Sequence, residues 1–290
     1  MTAHENIASG EVGKASYRVC MTTTVSHALM IDGQLIAPGD EAWLSLDDGL
    51  VRGDGVFEGL RLYGRRPRTA EAHLERLAKS AATVALDVDL DELRAELADF
   101  CQSTASEDCG VRLMVTRGGQ RIWREEPLPV PPSDGLVLRP TPHRVTPLLI
   151  GAKTLSYSAN MQAVRLAKAA GCHDALLVRA DDDVVLEGPT TAFAWIEDGV
   201  LTFPPLDVGV LDSLTRRIAV DAVQTKERAA TLNELADAEG AFLMSTLLEA
   251  APVAEIVGVA RFDVRSSHVR AVQDAVAEAT RRSLEETATA

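Results

Sequence analysis

One lysine in this chain lies where a lysine is hard to accommodate. Lys153 is one of five lysines against twenty-four arginines, and it follows the apolar residues 148–150 in a run typical of a strand. An amine carried into or beside a core is costly to charge, so it pairs with an anion, has a lowered pKa, or is consumed as a Schiff base. A structural ion pair, a snorkelling stem and a covalent aldehyde cofactor are all compatible with the residue alone.

The composition excludes several classes of partner. The 290 residues carry a formal net charge of -14 at pH 7, and no basic stripe is present to attract a phosphodiester backbone. The four cysteines, at positions 20, 101, 109 and 172, lack metal-ligand spacing and are typical of reduced thiols. No stretch approaches the roughly twenty apolar residues that cross a bilayer, and the start of the chain does not resemble a signal peptide. We therefore expect a cytoplasmic protein with neither nucleic acid nor membrane as partner.

The distribution of apolar and proline residues predicts two domains. Residues 1–20 are polar and are expected to form a flexible tail, and 21–140 an N-terminal α/β domain. Prolines concentrate between 125 and 147, which favours a linker at 141–148. The remainder, 149–290, is expected to form a C-terminal domain that carries Lys153.

Local patterns predict individual elements within these domains. Asp32-Gly33 and Asp198-Gly199 each separate two short apolar runs, which indicates two hairpins. Apolar residues recur at helical spacing between 69 and 84 and again from 93 to 100. A further helix is expected at about 213–225. Strands and helices thus alternate in a mixed α+β and α/β arrangement.

Four short motifs, taken together, resemble a known enzyme family. They are Arg52–Arg61 (RGDGVFEGLR), His73–Leu77 (HLERL), Lys153–Tyr157 (KTLSY) and Leu186–Pro189 (LEGP). In this order and spacing they resemble the class IV aminotransferases, the fold-type IV enzymes that use pyridoxal 5′-phosphate (PLP). The family includes branched-chain aminotransferases, D-amino acid transaminases and aminodeoxychorismate lyases. The resemblance implies a two-domain fold with the cofactor site between the domains, and a homodimer.

The resemblance also implies roles for three residues. Lys153 matches the Schiff-base lysine, which holds the cofactor and then moves a proton to and from the substrate. Glu187 matches the acid that contacts the pyridine nitrogen. Arg76 matches the arginine that binds the phosphate, a task for which a guanidinium fork is suited. Without the resemblance, Glu187 would be interpreted as an exposed glutamate and Arg76 as part of a solvated helix face.

A second group of cofactor contacts is implied around two turns. Leu214 and Thr215 match the helix start that binds phosphate through its backbone N–H groups, although Ser213 stands where the family usually has glycine. Ser213 remains a good helix cap. Thr246 matches a turn near the phosphate and the substrate carboxylate, and Tyr157 a contact to the phenolic oxygen of PLP. A capped surface helix and a plain strand-end turn are the structural alternatives.

Substrate contacts are less clearly marked. Leu247 follows Thr246 in the same turn, and Arg117 and Arg121 flank a Gly-Gly loop that would reach a substrate carboxylate, unless the loop is simply a solvated basic segment. His73 has no second histidine at ligand spacing, so we expect no metal and a helix-packing role for this residue.

The choice of reaction depends on these substrate contacts, and the motifs point in two directions. The Phe57–Arg61 segment resembles branched-chain aminotransferases, whereas Lys153–Tyr157 resembles aminodeoxychorismate lyases. We expect transfer of an amino group between a small amino acid, of branched-chain or D-amino acid type, and a 2-oxo acid. The alternatives are an aminodeoxychorismate lyase, which releases pyruvate and 4-aminobenzoate, and a catalytically silent binding protein of the same fold.

Overall fold

The computed structural model describes residues 18–22, 27–37 and 39–289 of the chain. The tail expected at 1–20 lies outside the described residues as far as position 17. The first half of the chain forms β1 (Arg18–Thr22), β2 (Leu29–Ile31), β3 (Gln34–Ile36), β4 (Glu41–Ser45), α1 (Asp48–Arg52), β5 (Gly55–Tyr63), β6 (Arg66–Pro67), α2 (Ala70–Thr83), α3 (Leu90–Ser103), β7 (Cys109–Thr116) and β8 (Arg121–Glu126).

The second half begins with a strand and ends with the longest helix. Its elements are β9 (Leu136–His143), a 3₁₀ turn (Pro147–Leu149), α4 (Ser158–Ala169), β10 (Asp174–Arg179), β11 (Ala192–Glu197), β12 (Val200–Phe203), a 3₁₀ turn (Leu206–Val208), α5 (Leu214–Ala222), β13 (Thr225–Glu227), a 3₁₀ segment (Leu232–Asp237), β14 (Gly240–Ser245), β15 (Glu249–Ile256), β16 (Ala260–Arg261) and α6 (Ser267–Thr289).

Six strands of the first half form an antiparallel sheet in the order β3-β2-β8-β7-β5-β6. Helices α2 and α3 cover this sheet, and Leu74, Leu77, Leu93 and Leu97 join one apolar core with its strands. These leucines recur at the spacing that predicted the two helices, and both helices are confirmed. The β2–β3 hairpin turns at Asp32-Gly33, which confirms the first hairpin.

The central strand β5 presents different side chains to its two faces. Successive residues of a strand point to opposite sides. Glu58 and Leu60 lie on the side of α2, where Leu60 joins the core and Glu58 contacts two α2 residues. Phe57 and Arg61 lie on the other side and contact residues of the second half of the chain. The strand therefore connects the core of the first sheet to the space between the two halves.

The second half is built on a mixed eight-stranded sheet. Its strands follow the order β10-β9-β15-β14-β11-β12-β13, with β16 added at β15. The β11–β12 hairpin turns at Asp198-Gly199, as predicted. Helices α5 and α6 pack together and against β14, and α4 packs against β10. The six-stranded and eight-stranded sheets, each with its own helices, and a two-stranded sheet of β1 and β4 give the mixed α+β architecture expected from the sequence.

The boundary between the halves differs in detail from the position of the predicted linker. Strand β9 pairs in parallel with both β10 and β15, so Leu136–His143 belongs to the second sheet. The predicted linker, 141–148, therefore starts inside a strand, and the division at this point stays a prediction. Among the helices of the described part of the chain, none combines the length and apolar character that a bilayer crossing requires.

The segment around Lys153 is not the strand that its apolar run predicted. Residues 147–149 form a 3₁₀ turn, Gly151 has a φ of +74°, and only Thr154 makes a single bridge, to Val56. Proline at the start and a left-handed glycine after it prevent an extended ladder. Leu148 is exposed. The prediction of a strand was therefore wrong, although the chain still turns Lys153 inward.

Candidate active site

The backbone of Lys153 is held by two elements of the first half of the chain. Its N–H donates to Oγ of Ser80 on α2 at 3.0 Å, and its carbonyl accepts from the N–H of Phe57 on β5 at 3.0 Å. The amine lies 4.1 Å from the centre of the Phe57 ring and 5.6 Å from that of Tyr157. The two rings meet edge to face with centroids 5.1 Å apart. An aromatic wall thus encloses one side of the amine.

This environment makes the amine easier to deprotonate. Burial lowers the pKa of Lys153 to about 8, while Glu58 and Glu187 act in the opposite direction and Arg76 and Arg112 support the lowering. A free lysine amine titrates more than two units higher, so a much larger neutral fraction is present here near neutral pH. The neutral amine is the form that attacks a carbonyl carbon.

Glu187 supplies a carboxyl group on the same site. Its Oε2 accepts from the N–H of Leu211 at 3.2 Å. Burial raises the pKa of Glu187 to about 7, against the lowering effects of the Leu211 N–H, Lys153 and Arg76. The electrostatic influence of Lys153 and Glu187 on each other places both in one site. Such a carboxyl is suited to face a basic ring nitrogen, since the two share a proton at little cost.

An anion cradle lies where Arg76 meets the start of α5. Nη1 of Arg76 donates to the carbonyl of Asp212 at 3.1 Å. Ser213 caps the helix by accepting the N–H of Arg216, which confirms a capped helix with serine in the unusual position. The hydroxyl of Thr215 is buried and has no hydrogen-bond partner among the described atoms. A buried hydroxyl without a partner is costly unless a ligand completes it.

The cradle therefore fits the phosphate of PLP. A helix start offers N–H groups and the positive end of its dipole, Arg76 adds a guanidinium, and Thr215 an unused hydroxyl. Leu214, the first residue of the helix, is buried beside Thr215. Thr246 follows the end of β14, and its hydroxyl reaches 3.4 Å from His73 on α2. Within residues 18–22, 27–37 and 39–289, no cluster of histidine, cysteine and acidic side chains is arranged to hold a metal.

Tyr157 lies beside Lys153, but its hydroxyl is engaged elsewhere. It donates to the carbonyl of Pro189 at 2.7 Å, and the side-chain amide of Asn160 donates to the same carbonyl at 2.8 Å. Burial raises the pKa of Tyr157 above its usual value, so the phenol stays protonated. The predicted contact of Tyr157 with the phenolic oxygen of PLP stays a prediction.

The two arginines predicted to contact substrate are held in ion pairs. Arg117 makes two hydrogen bonds to Asp54, of 2.7 and 2.8 Å, and Arg121 lies 2.8 Å from both Glu92 and Glu96. Within the described residues, neither shares a contact with Lys153. Their role in substrate binding stays a prediction that these ion pairs do not support.

Residues that the sequence did not single out take part in the site. Arg112 on β7 lies 5.1 Å from the centre of the Phe57 ring, and a bidentate pair with Glu126 holds it there. Arg61 donates to the carbonyl of Leu247 at 3.2 Å, which fixes the turn after β14. The alternation of β5 and β7 was the available signal, because it places these side chains on one face.

A surface depression of about 570 Å³ lies elsewhere, between α3 and the end of β7. Its lining includes Asp87, Asp89, Asp91 and Glu92 together with Arg121. The excess of carboxylates suits neither a phosphate nor an amino acid carboxylate, because like charges repel. The depression therefore does not compete with the surroundings of Lys153 as a binding site for such anions.

The chain matches the model of the class IV aminotransferase family over residues 55–256. This range contains Lys153, Glu187, Arg76 and the start of α5. The chain belongs to the class IV aminotransferase family, whose members are PLP-dependent enzymes.

Three relatives illustrate the range of this family. A bifunctional aminodeoxychorismate lyase / D-amino acid transaminase of Mycobacterium tuberculosis is 30% identical over 270 residues, which cover 79% of this chain and 90% of that protein. The PLP-bound form of a hypothetical aminotransferase from the same organism superimposes with a TM-score of 0.78 at 28% identity, covering 88% of this chain and 99% of that one. A branched-chain aminotransferase of Thermoproteus uzoniensis, solved with norvaline, gives a TM-score of 0.79 at 25% identity and covers 89% and 95%.

Proposed function

We propose that this protein is a PLP-dependent aminotransferase that transfers an amino group between a small amino acid, of branched-chain or D-amino acid type, and a 2-oxo acid. One observation carries the proposal: the amine of Lys153, with a pKa of about 8, lies against the ring of Phe57 and within electrostatic reach of Glu187 and Arg76. This arrangement supports the roles proposed for the three side chains: Lys153 as the tether, Glu187 as the partner of the ring nitrogen and Arg76 as a phosphate ligand. A protein that only bound a small molecule would not need a half-buried amine with a lowered pKa.

The residues of the chain divide the work as follows. Arg76, with Leu214 and Thr215 at the start of α5, would hold the phosphate, and Glu187 would hold the ring nitrogen. When bound, PLP supplies an electron sink for the carbanion formed at the substrate α-carbon. Nζ of Lys153 would anchor the aldehyde carbon and later accept a proton from the substrate α-carbon and return it. The Phe57 and Tyr157 rings would exclude water from that amine.

The carboxylate of the substrate would meet a site with several donors. Thr246 and Leu247 lie in a turn at the end of β14, where backbone N–H groups can converge on an anion. Arg112 adds a positive charge beside Phe57. A second carboxylate on the substrate would be compatible with this charge, which admits dicarboxylic oxo acids as amino acceptors.

A second candidate reaction is the aminodeoxychorismate lyase reaction. The relative from M. tuberculosis that carries both activities in its name is 30% identical to this chain, and this similarity supports the lyase reaction as a second candidate. Both would use the same lysine and the same cofactor. The two differ in which bond of the substrate breaks, and this is decided by how the substrate is oriented.

Product analysis distinguishes the two reactions. We expect the purified, PLP-loaded protein to convert a branched-chain or D-amino acid plus 2-oxoglutarate into the matching oxo acid and glutamate. The same preparation is incubated separately with aminodeoxychorismate. Pyruvate and 4-aminobenzoate in the second mixture, with no oxo acid and glutamate formed in the first, would overturn the transfer reaction in favour of the lyase. No product in either mixture would contradict both reactions.

The rate of cofactor uptake should follow the protonation of Lys153. Because the amine titrates at about 8 and only its neutral form attacks an aldehyde, the rate should fall about tenfold for each unit of pH below that value and level off above it. Stopped-flow mixing of apoprotein with PLP, followed by the growth of the visible absorbance, measures this rate. A rate that still rises tenfold per unit between pH 9 and 10 would show an unperturbed lysine.

The assembly and location of the protein stay proposals. We propose a homodimer, in keeping with the resemblance to the family. Exposed apolar side chains of Leu50 and Val51 on α1 and of Leu148 near Lys153 offer a surface for a second copy. A cytoplasmic location remains the expectation from the reduced cysteines, of which Cys101, Cys109 and Cys172 are free and buried.

A further inference from the structure

A buried chain of hydrogen bonds connects the proposed phosphate contact to the proposed substrate contact. Glu58 and His73 are both fully buried. The oxygens of Glu58 accept from Nε and Nη2 of Arg76 at 2.7 and 2.8 Å, and Nδ1 of His73 lies 2.8 Å from the same carboxylate. On the far side of its ring, Nε2 of His73 lies 3.4 Å from the hydroxyl of Thr246.

The protonation of this chain follows from its charges. Burial raises the pKa of Glu58, but the hydrogen bonds and charge of Arg76, together with His73, lower it to about 2. The carboxylate therefore only accepts, and Nδ1 of His73 must donate to it. Burial, supported by the charges of Arg76 and Arg68 and opposed by Glu58, lowers the pKa of His73, so the ring is neutral. Its Nε2 carries a lone pair, and the hydroxyl of Thr246 donates to that nitrogen.

The carboxylate also fixes the plane of the Arg76 guanidinium. Glu58 engages Nε and Nη2, and the carbonyl of Asp212 engages Nη1 at 3.1 Å. A guanidinium has five N–H bonds. Glu58 and Asp212 engage one on each nitrogen of Arg76, so one N–H on Nη1 and one on Nη2 are left for an anion. With three of its nitrogens held, the fork cannot turn, and the remaining donors keep one direction.

We propose that Glu58 and His73 are positioning residues that couple the two ends of the site: Glu58 sets the orientation of Arg76 toward the phosphate, and through His73 it sets the direction of the Thr246 hydroxyl. The inference rests on the proposed roles of Arg76 and Thr246. The coupling has a chemical consequence: a Thr246 hydroxyl that donates its hydrogen bond to His73 cannot also donate to a carboxylate. The oxygen of Thr246 then accepts an N–H or O–H of the ligand, and backbone N–H groups of the turn bind the carboxylate.

Two substitutions separate the two arms of this coupling. Glu58→Gln leaves one acceptor oxygen for the Arg76 fork, and its amide N–H₂ group faces the other donor, so the apoprotein should bind PLP about tenfold more weakly. His73→Phe keeps the Glu58–Arg76 pair and removes the acceptor for Thr246. It should raise KM for the amino acid about tenfold and change the Kd for PLP by no more than about twofold. Equilibrium dialysis of the apoproteins gives Kd without any turnover.

A double-mutant cycle tests the second arm directly. If His73 acts through Thr246, then Thr246→Val and the double variant Thr246→Val/His73→Phe have the same KM. The threonine hydroxyl is already absent from the single variant, so the loss of His73 has no further effect on it. Additive effects would overturn the coupling. Leu97→Ala, in the same core but on α3, is the control for general loosening, and it should alter neither Kd nor KM.

The outcomes distinguish this inference from the proposed function. Wild-type protein that binds no PLP would remove the proposed function and, with it, the coupling. Wild-type protein that binds PLP, with a Glu58→Gln variant of equal Kd or a His73→Phe variant of weakened Kd, would overturn the coupling alone. If Glu58→Gln does not fold, the cycle between His73 and Thr246 still decides whether the two ends of the site are coupled, because it leaves the buried carboxylate paired with Arg76 and additive effects in it overturn the proposal.

Discussion

Replacing Lys153 with alanine should abolish the yellow colour of the PLP-loaded protein and lower its turnover at least about 10³-fold. The amine is the one basic nucleophile against the Phe57 and Tyr157 rings, among the described residues, and its pKa of about 8 suits both attack on an aldehyde and proton transfer near neutral pH. The measurement is the visible spectrum after gel filtration, together with turnover of the best amino donor. Lys168→Ala on the exposed side of α4 is the matched control and should behave as wild type.

A small primary amine in the buffer sharpens this experiment. Removing the lysine side chain leaves space beside Phe57 in which methylamine can act as the missing base, so part of the lost turnover should return in proportion to its neutral fraction. A Lys153→Ala protein that keeps both colour and turnover would mean that another amine holds the cofactor. Loss of turnover with an unchanged visible band would assign Lys153 to proton transfer alone.

The sequence predicted elements whose causes are local. Asp32-Gly33 and Asp198-Gly199 specify their hairpins because a turn needs only a few adjacent residues. The α2 and α3 helices follow from the spacing of leucines along one face. The apolar residues before Lys153 predicted a strand. The backbone preferences of Pro147 and Gly151, which the prediction did not weigh, prevent an extended ladder there.

The site was predictable only in part, because its contacts join distant parts of the chain. The resemblance placed Lys153, Glu187 and Arg76, and all three lie within one electrostatic neighbourhood. It did not indicate that Arg76 pairs with Glu58, since a strand residue and a helix residue eighteen positions apart meet only when the sheet and α2 pack. For the same reason, the ion pair of Arg117 with Asp54, sixty-three positions away, was not visible beforehand.

Replacing Arg76 with leucine should damage both the stability of the protein and its affinity for PLP. The change leaves Glu58, which is fully buried, without its bidentate partner. Breaking one side of a buried pair costs about 3–5 kcal/mol of unfolding free energy, because the remaining charge stays uncompensated. Urea denaturation of the apoprotein measures this loss. Arg94→Leu on the surface, which breaks a bidentate pair with Glu71, should leave the denaturation midpoint close to that of wild type.

A double variant separates the two functions of Arg76. In Arg76→Leu/Glu58→Leu no buried charge is stranded, so most of the lost unfolding free energy should return. The affinity for PLP should stay at least about 100-fold below wild type in both variants, since a charged hydrogen-bond donor to the phosphate is absent from each. If affinity recovers together with stability, Arg76 serves the fold and the phosphate is held by the start of α5. If stability recovers and affinity does not, Arg76 holds the phosphate, and the pairing with Glu58 keeps the arginine in place.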